Sequence, residues 1–187
     1  MYLMRHTPLR MAVHIAFEKS ADCFFKRVVK TFAGPYVHVE IIVSPKDAAH
    51  IAYTAYMSET FSRTLQKDFR YSDEEHDYLS IPVSDDELYR IGVACEACVE
   101  SKIPYNLADM AMCQLPLRHP TDTSLYECKA LFCSQALVLL LRTCLDPHHR
   151  LQPYLAGINS RTITPSQLYQ ALAPHCIPKT TTQVLKL

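Results

Sequence analysis

Glycine is scarce in this chain. Three glycines occur in 187 residues, and none lies in a phosphate-cradling loop pattern. A surplus of either charge is also missing, since 19 Lys+Arg balance 19 Asp+Glu. With no basic excess and no polybasic run, the composition gives no reason to expect nucleic acid as a partner, although a zero sum leaves room for local patches. Long hydrophobic runs are absent too. The longest, Ala136–Leu141, is far too short to cross a bilayer, so no transmembrane segment is expected. The N-terminal stretch MYLMRHTPLRMAVHIAFEK lacks a long apolar region and a small-residue cleavage site, and no signal peptide is expected from it. Eight cysteines without such a signal predict reduced thiols in a cytoplasmic or nuclear setting. A second zinc-type cysteine pair is missing as well. Cys95 and Cys98 form C-x-x-C inside an apparent helix, where they share a face, but Cys128 and Cys133 are five apart. Core packing is therefore the reading for the pair, and no metal site is expected.

What is present is the pattern of one α+β domain over residues 1–187, with its core at about 11–173. Met11–Phe17 reads as a strand. Ser20 is a plausible N-cap for a helix in which Phe24, Phe25, Val28, Val29 and Phe32 recur at helical spacing, ended by Gly34-Pro35. YVHVEIIV, residues 36–43, is β-branched and alternates. Val37, Val39, Ile41 and Val43 form its apolar face; His38 and Glu40 share the other. Pro45–Asp47 reads as a turn, and 50–58 as the next, antiparallel strand, with Thr54 and Tyr56 as its polar positions. A further strand is suggested near Phe69–Tyr71 and another at Asp77–Val83. Ser84 with Glu87, and Thr164 with Gln167, are capping boxes opening helices. The tail from His175, rich in Pro and Thr, is expected to fray.

The chemistry-bearing stretch is LYECKALFCSQALVLLLRTCL, residues 125–145. After Cys133 it has no Gly or Pro and is dominated by Ala and Leu, which predicts a buried helix with Cys133 at its first turn. A helix N-terminus carries partial positive charge and unpaired N–H groups, both of which favour a thiolate. A thiol hydrolase needs in addition an imidazole to share the proton and a third polar group to fix its tautomer. His38 is the candidate imidazole. Glu40, two residues along the strand, and Thr54, on the next strand, are rival orienters. The backbone N–H of Cys133 is the economical oxyanion donor. His14, in an apolar strand, reads as a core histidine; Cys113 and His119 fall on the loop before the Cys helix.

Gly34-Pro35-Tyr36-Val37-His38-Val39-Glu40-Ile41, then Ile103-Pro104-Tyr105-Asn106, then Phe132-Cys133-Ser134-Gln135-Ala136-Leu137 follow one another in an order that resembles a known group. This is the circularly permuted branch of the papain-like fold, the NlpC-type thiol peptidases and amidases, which includes lecithin:retinol acyltransferase-like enzymes. The resemblance covers roughly residues 11–173. It implies a central antiparallel sheet with helices beside it, the catalytic Cys helix following the His strand in sequence. It also implies acyl transfer on a peptide or amide substrate without metal or organic cofactor, and a microbial or viral source. Cys133 and His38 would be the catalytic pair, with Glu40 or Thr54 as the third residue and Tyr105 and Ser134 on the substrate side. The sequence departs from the group at Lys102, where a Gly is usual, and at Thr54, where some members carry Glu. The alternatives are a lipid acyltransferase or thioesterase of the same fold and a catalytically inactive binding module.

Overall fold

The structure is a computed structural model and describes residues 11–44, 49–55, 60–112 and 124–185. The Pro45–Asp47 turn, Tyr56, Cys113 and His119 lie outside them. Six strands form one antiparallel sheet: β1 (Met11–Glu18), β2 (His38–Val43), β3 (Ile51–Ala55), β4 (Phe61–Leu65), β5 (His76–Val83) and β6 (Ile177–Lys179), in the order β4-β3-β2-β1-β5-β6. Among the described residues seven α-helices accompany it: α1 (Phe24–Ala33), α2 (Asp85–Glu100), α3 (Leu107–Met112), α4 (Cys133–Cys144), α5 (Gln152–Ala156), α6 (Pro165–Leu172) and α7 (Thr181–Leu185).

Strand alternation sorts the side chains into two layers. Val13, Ile15 and Phe17 of β1 and Val39, Ile41 and Val43 of β2 join the main core with α2 and α4. Ala16, Ile42 and Tyr78 face the opposite side, where Val184 of α7 closes a smaller cluster with Phe69 and Tyr71. Helix α4 is buried over ten of its positions, Ser134 and Gln135 included. Its Leu- and Ala-rich sequence suits that surround, because a helix enclosed on every side needs no polar face. Both capping boxes form as the local spacing predicts, Ser84 with Glu87 and Thr164 with Gln167.

Three expectations change. The N-cap of α1 is Cys23, whose sulfur accepts from the Lys26 N–H at 3.5 Å, while the Ser20 hydroxyl donates to Glu18 instead. The strand sought near Phe69–Tyr71 lies earlier, as β4, and the two aromatics pack against each other over the small cluster. Through Leu185 the tail is built into the fold: residues 177–179 pair with β5, and Val184 is fully buried.

Gly34 fixes how α1 meets β2. Its φ is +93° and its ψ −161°, a region open essentially to glycine alone. A Cβ there would stand 2.9 Å from Ser166 Oγ, the atom that accepts from the Tyr36 N–H at 3.0 Å. Gly34→Ala is expected to cost about 2–3 kcal/mol and to lower Tm by about 5–10 °C, read by calorimetry. An unchanged Tm would show that the junction relaxes freely.

Candidate active site

His38 is the first residue of β2, and β2 and β3 are split beside it. Their pairing runs from Val43↔Ile51 to Ile41↔Tyr53, while Thr54 and Ala55 are matched to β4 alone. In that split the Thr54 hydroxyl donates to the Val39 carbonyl at 2.8 Å, satisfying a backbone acceptor at the point where the ladder ends. The side chains that meet at this end come from three parts of the chain: His38 and Glu40 from β2, Thr54 from β3, and Cys133 from the start of α4.

Glu40 and Thr54, read from sequence as rivals, reach the same ring nitrogen. Thr54 Oγ1 lies 3.2 Å from His38 Nε2, and Glu40 Oε1 lies 3.5 Å from it. The single proton of the Thr54 hydroxyl is committed to Val39, so toward His38 it acts as acceptor. Nε2 is thus the N–H side of the ring, shared between a hydroxyl and a carboxylate. The Cys133 thiol is hydrogen-bonded to the His38 side chain as well. Burial alone would make His38 a weaker base, but the Cys133 and Glu40 side chains more than offset it, as negative neighbours and as hydrogen-bond partners. The ring is held above the ordinary histidine range and so favours imidazolium at neutral pH.

Glu40 is itself anchored. Its second oxygen accepts a short hydrogen bond from the Tyr71 hydroxyl. The Tyr71 ring is wedged among Phe69, His76 and Tyr78, with centroids 4.9, 5.0 and 6.1 Å away. The chain Tyr71–Glu40–His38–Cys133 therefore passes from the small cluster to the helix at the place where β2 and β3 part. Sequence reading missed Tyr71. It stands 31 positions from Glu40 and no spacing rule links the two.

Helix α4 begins at Cys133, and its N-cap, Phe132, has no side chain able to cap. The first intrahelical bond runs from Ala136 N–H to the Phe132 carbonyl at 2.9 Å, so the N–H groups of Cys133, Ser134 and Gln135 have no acceptor within the helix. Tyr105 is half-buried against the main core, and its backbone bridges Leu131, two residues before Cys133. Asn106 N–H donates to the Leu131 carbonyl at 3.0 Å, and Leu131 N–H to the Pro104 carbonyl at 3.0 Å, which ties the Pro-Tyr-Asn segment to the entry of α4.

Ser134 takes a different place from that expected. It is fully buried, and its hydroxyl donates to the Ile163 carbonyl at 2.6 Å. It is a tether between α4 and the approach to α6, not a group facing substrate. One residue along a helix turns the side chain by about 100°, enough to turn Ser134 away from the side on which Cys133 meets His38 and toward Ile163. Ser134→Ala is expected to cost about 1–2 kcal/mol by chemical denaturation and to leave the alkylation rate of Cys133 within about twofold. A large loss of that rate in a stable variant would restore Ser134 to the site.

The remaining candidates are structural. His14 is buried with Nδ1 2.5 Å from Ser80 Oγ, and burial lowers it to about 4, so it stays neutral. Cys95 and Cys98 lie on the buried face of α2, where desolvation pushes both thiols up, Cys98 to about 11. No family model, curated protein or solved structure matches this chain.

Proposed function

We propose that the protein is a thiol hydrolase, a cysteine peptidase or amidase built as a permuted papain-like domain, with Cys133 as nucleophile and His38 as the acid–base partner. The observation that carries this reading is the Cys133–His38 contact at the uncapped start of α4, with Glu40 and Thr54 both at Nε2 of the same ring. An imidazole used for proton transfer needs its tautomer fixed from the side away from the nucleophile.

The Cys133 thiolate attacks the substrate carbonyl carbon, and the oxygen gathers negative charge against the N–H groups of the first α4 turn, which no protein acceptor of the helix occupies. Collapse breaks the C–N bond, and the leaving amine takes its proton from His38 imidazolium. The acyl group is then a thioester on Cys133. A water molecule attacks it, His38 accepts the water proton, and the acid departs as the thiolate re-forms beside imidazolium. Glu40 stabilises imidazolium by charge; Thr54 fixes the ring plane. The void on the core side of the thiol, bounded by Val39, Thr54, Phe61 and Leu137, is about 10 Å³.

Activity-based labelling with peptide, ubiquitin-like and acyl probes, followed by mass mapping, tests the reading. Cys133 is 4% exposed, so small electrophiles should reach it sooner than bulky ones. Modification should fall on Cys133 well before Cys95 and Cys98, whose thiols burial keeps protonated. Labelling of the three at equal rates in the folded protein would count against the nucleophile assignment.

A further inference from the structure

The sequence carries no net charge, yet the structure concentrates cations and aromatic surface on one helix. Helix α1 is FFKRVVKTFA, ten residues with three basic side chains and no acidic one. Phe24 is 82% exposed, Phe32 70% and Val28 37%. At 100° per residue these three lie within an arc of about 80°. Two phenylalanines left this open to water are costly to keep. The helix meets the rest of the protein along a neighbouring side, through buried Ala33 and half-buried Val29, and rests on α6. Covering the stripe therefore requires no rearrangement of the fold.

The charges beside the stripe narrow the choice of occupant. Arg27 and Lys30 are both exposed; Arg27 flanks the stripe on the side away from Val29, while Lys30 lies about 160° from the stripe's centre, on the back of the helix. Each is drawn toward the preceding turn, Arg27 Nε to the Ala21 carbonyl at 3.3 Å and Lys30 Nζ to the Lys19 carbonyl at 3.0 Å. Neither is neutralised by a carboxylate among the described residues, whereas Lys26 is paired with Glu18 at 2.6 Å and Asp22 at 3.1 Å. The contrast with α2 is informative. It also exposes apolar side chains, Tyr89 and Val93, but sets them among Asp86, Arg90 and Glu96, charges of both signs. A second copy of the chain packed stripe to stripe in antiparallel fashion would set the two Arg27 side chains on one side of the seam, like charge against like. An aromatic stripe with an unneutralised cationic margin matches a surface that is apolar beneath and anionic above.

We infer that α1 is a peripheral docking element for an anionic lipid bilayer, with Phe24, Val28 and Phe32 entering the acyl boundary, Arg27 at the phosphate level and Lys30 adding positive charge from the outer face. Helix α1 leads through Gly34 into β2, so docking would place the His38 end of that strand close to the surface.

Co-sedimentation of the full chain with phosphatidylcholine vesicles, with and without about 30% phosphatidylserine, tests this. Binding is expected to the anionic vesicles and to fall steeply with added salt. Phe24→Ser/Phe32→Ser is expected to reduce partitioning about tenfold or more, with the thermal melt unchanged because both side chains are exposed. Arg27→Glu/Lys30→Glu is expected to reduce it to a similar extent while keeping the apolar stripe. Failure to bind, equal binding to neutral vesicles, or undiminished binding by both double variants would overturn the inference. So would a concentration-dependent dimer that the Phe24→Ser/Phe32→Ser variant dissolves, since that would assign the stripe to a second copy.

Discussion

His38→Ala is expected to reduce turnover of an amide substrate by about a hundredfold to ten-thousandfold, the range over which a positioned acid–base group contributes. The fold should survive, because β2 is held by Val39, Ile41 and Val43, all within the main core, and the His38 ring is not among them. Alkylation of Cys133 by iodoacetamide near pH 7 should slow in parallel. The imidazolium that now stands beside the thiol, held above the ordinary histidine range, would be gone. The measurement is a paired one: alkylation rate by mass spectrometry and unfolding midpoint on the same sample. A variant that loses its fold, with reactivity that merely follows unfolding, would make His38 a packing residue and dissolve the site.

Glu40→Gln and Thr54→Val separate two roles that converge on one nitrogen. Glu40 is among the causes that raise His38, while Thr54 supplies a neutral acceptor at 3.2 Å. Removing the carboxylate should lower the pH at which His38 gives up its proton. A histidine whose folded pKa lies above its unfolded value contributes stability that is complete below about pH 6.5 and is lost as pH rises through the folded value. Wild-type protein should thus lose stability from neutral into alkaline pH more steeply than Glu40→Gln does. Cys133 alkylation in the variant should be depressed most near neutrality, by about tenfold, and should recover at alkaline pH, where thiols ionise unaided. Tyr71→Phe should reproduce part of this, because the hydroxyl that anchors Glu40 is removed while the packed ring remains. Thr54→Val should act differently, lowering kcat without moving the pH profile. It also strips the Val39 carbonyl of its partner, at about 1–3 kcal/mol of stability. Identical pH profiles for wild type and Glu40→Gln would remove the carboxylate from the mechanism and leave the Cys–His pair standing alone.

Local rules made part of this legible. Both capping boxes rest on i, i+3 spacing, and Cys133 heads its helix because the residues after it have no alternative to one. The alternation of β2 separated Val39 and Ile41 from His38 and Glu40 correctly. What failed to show depends on distance along the chain. The rivalry between Glu40 and Thr54 dissolves only once β2 and β3 are seen to part at Tyr53, a property of two strands together. Ser134 was grouped with Cys133 by adjacency, while the helix rotates it to Ile163. The apolar spacing of α1 marks a stripe but carries no information on what covers it; that Phe24 and Phe32 face solvent is decided by the Gly34 junction and α6. Three residues containing a proline, Ile177–Lys179, are too short a run to announce a strand, and only the free side of β5 makes them one.

That last strand has a consequence for how the chain behaves in company. Strand β5 is eight residues long, and β6 covers its outer side at Tyr78, Leu79 and Ser80. Left bare, this row of unpaired N–H and C=O groups would be a template on which another chain could add. The cover is short and carries Pro178, which has no N–H to offer onward, so it closes the row without presenting an equally good one. A chain ending before Ile177 would keep all the residues of the Cys133–His38 site and still be expected to self-associate, strand edge to strand edge.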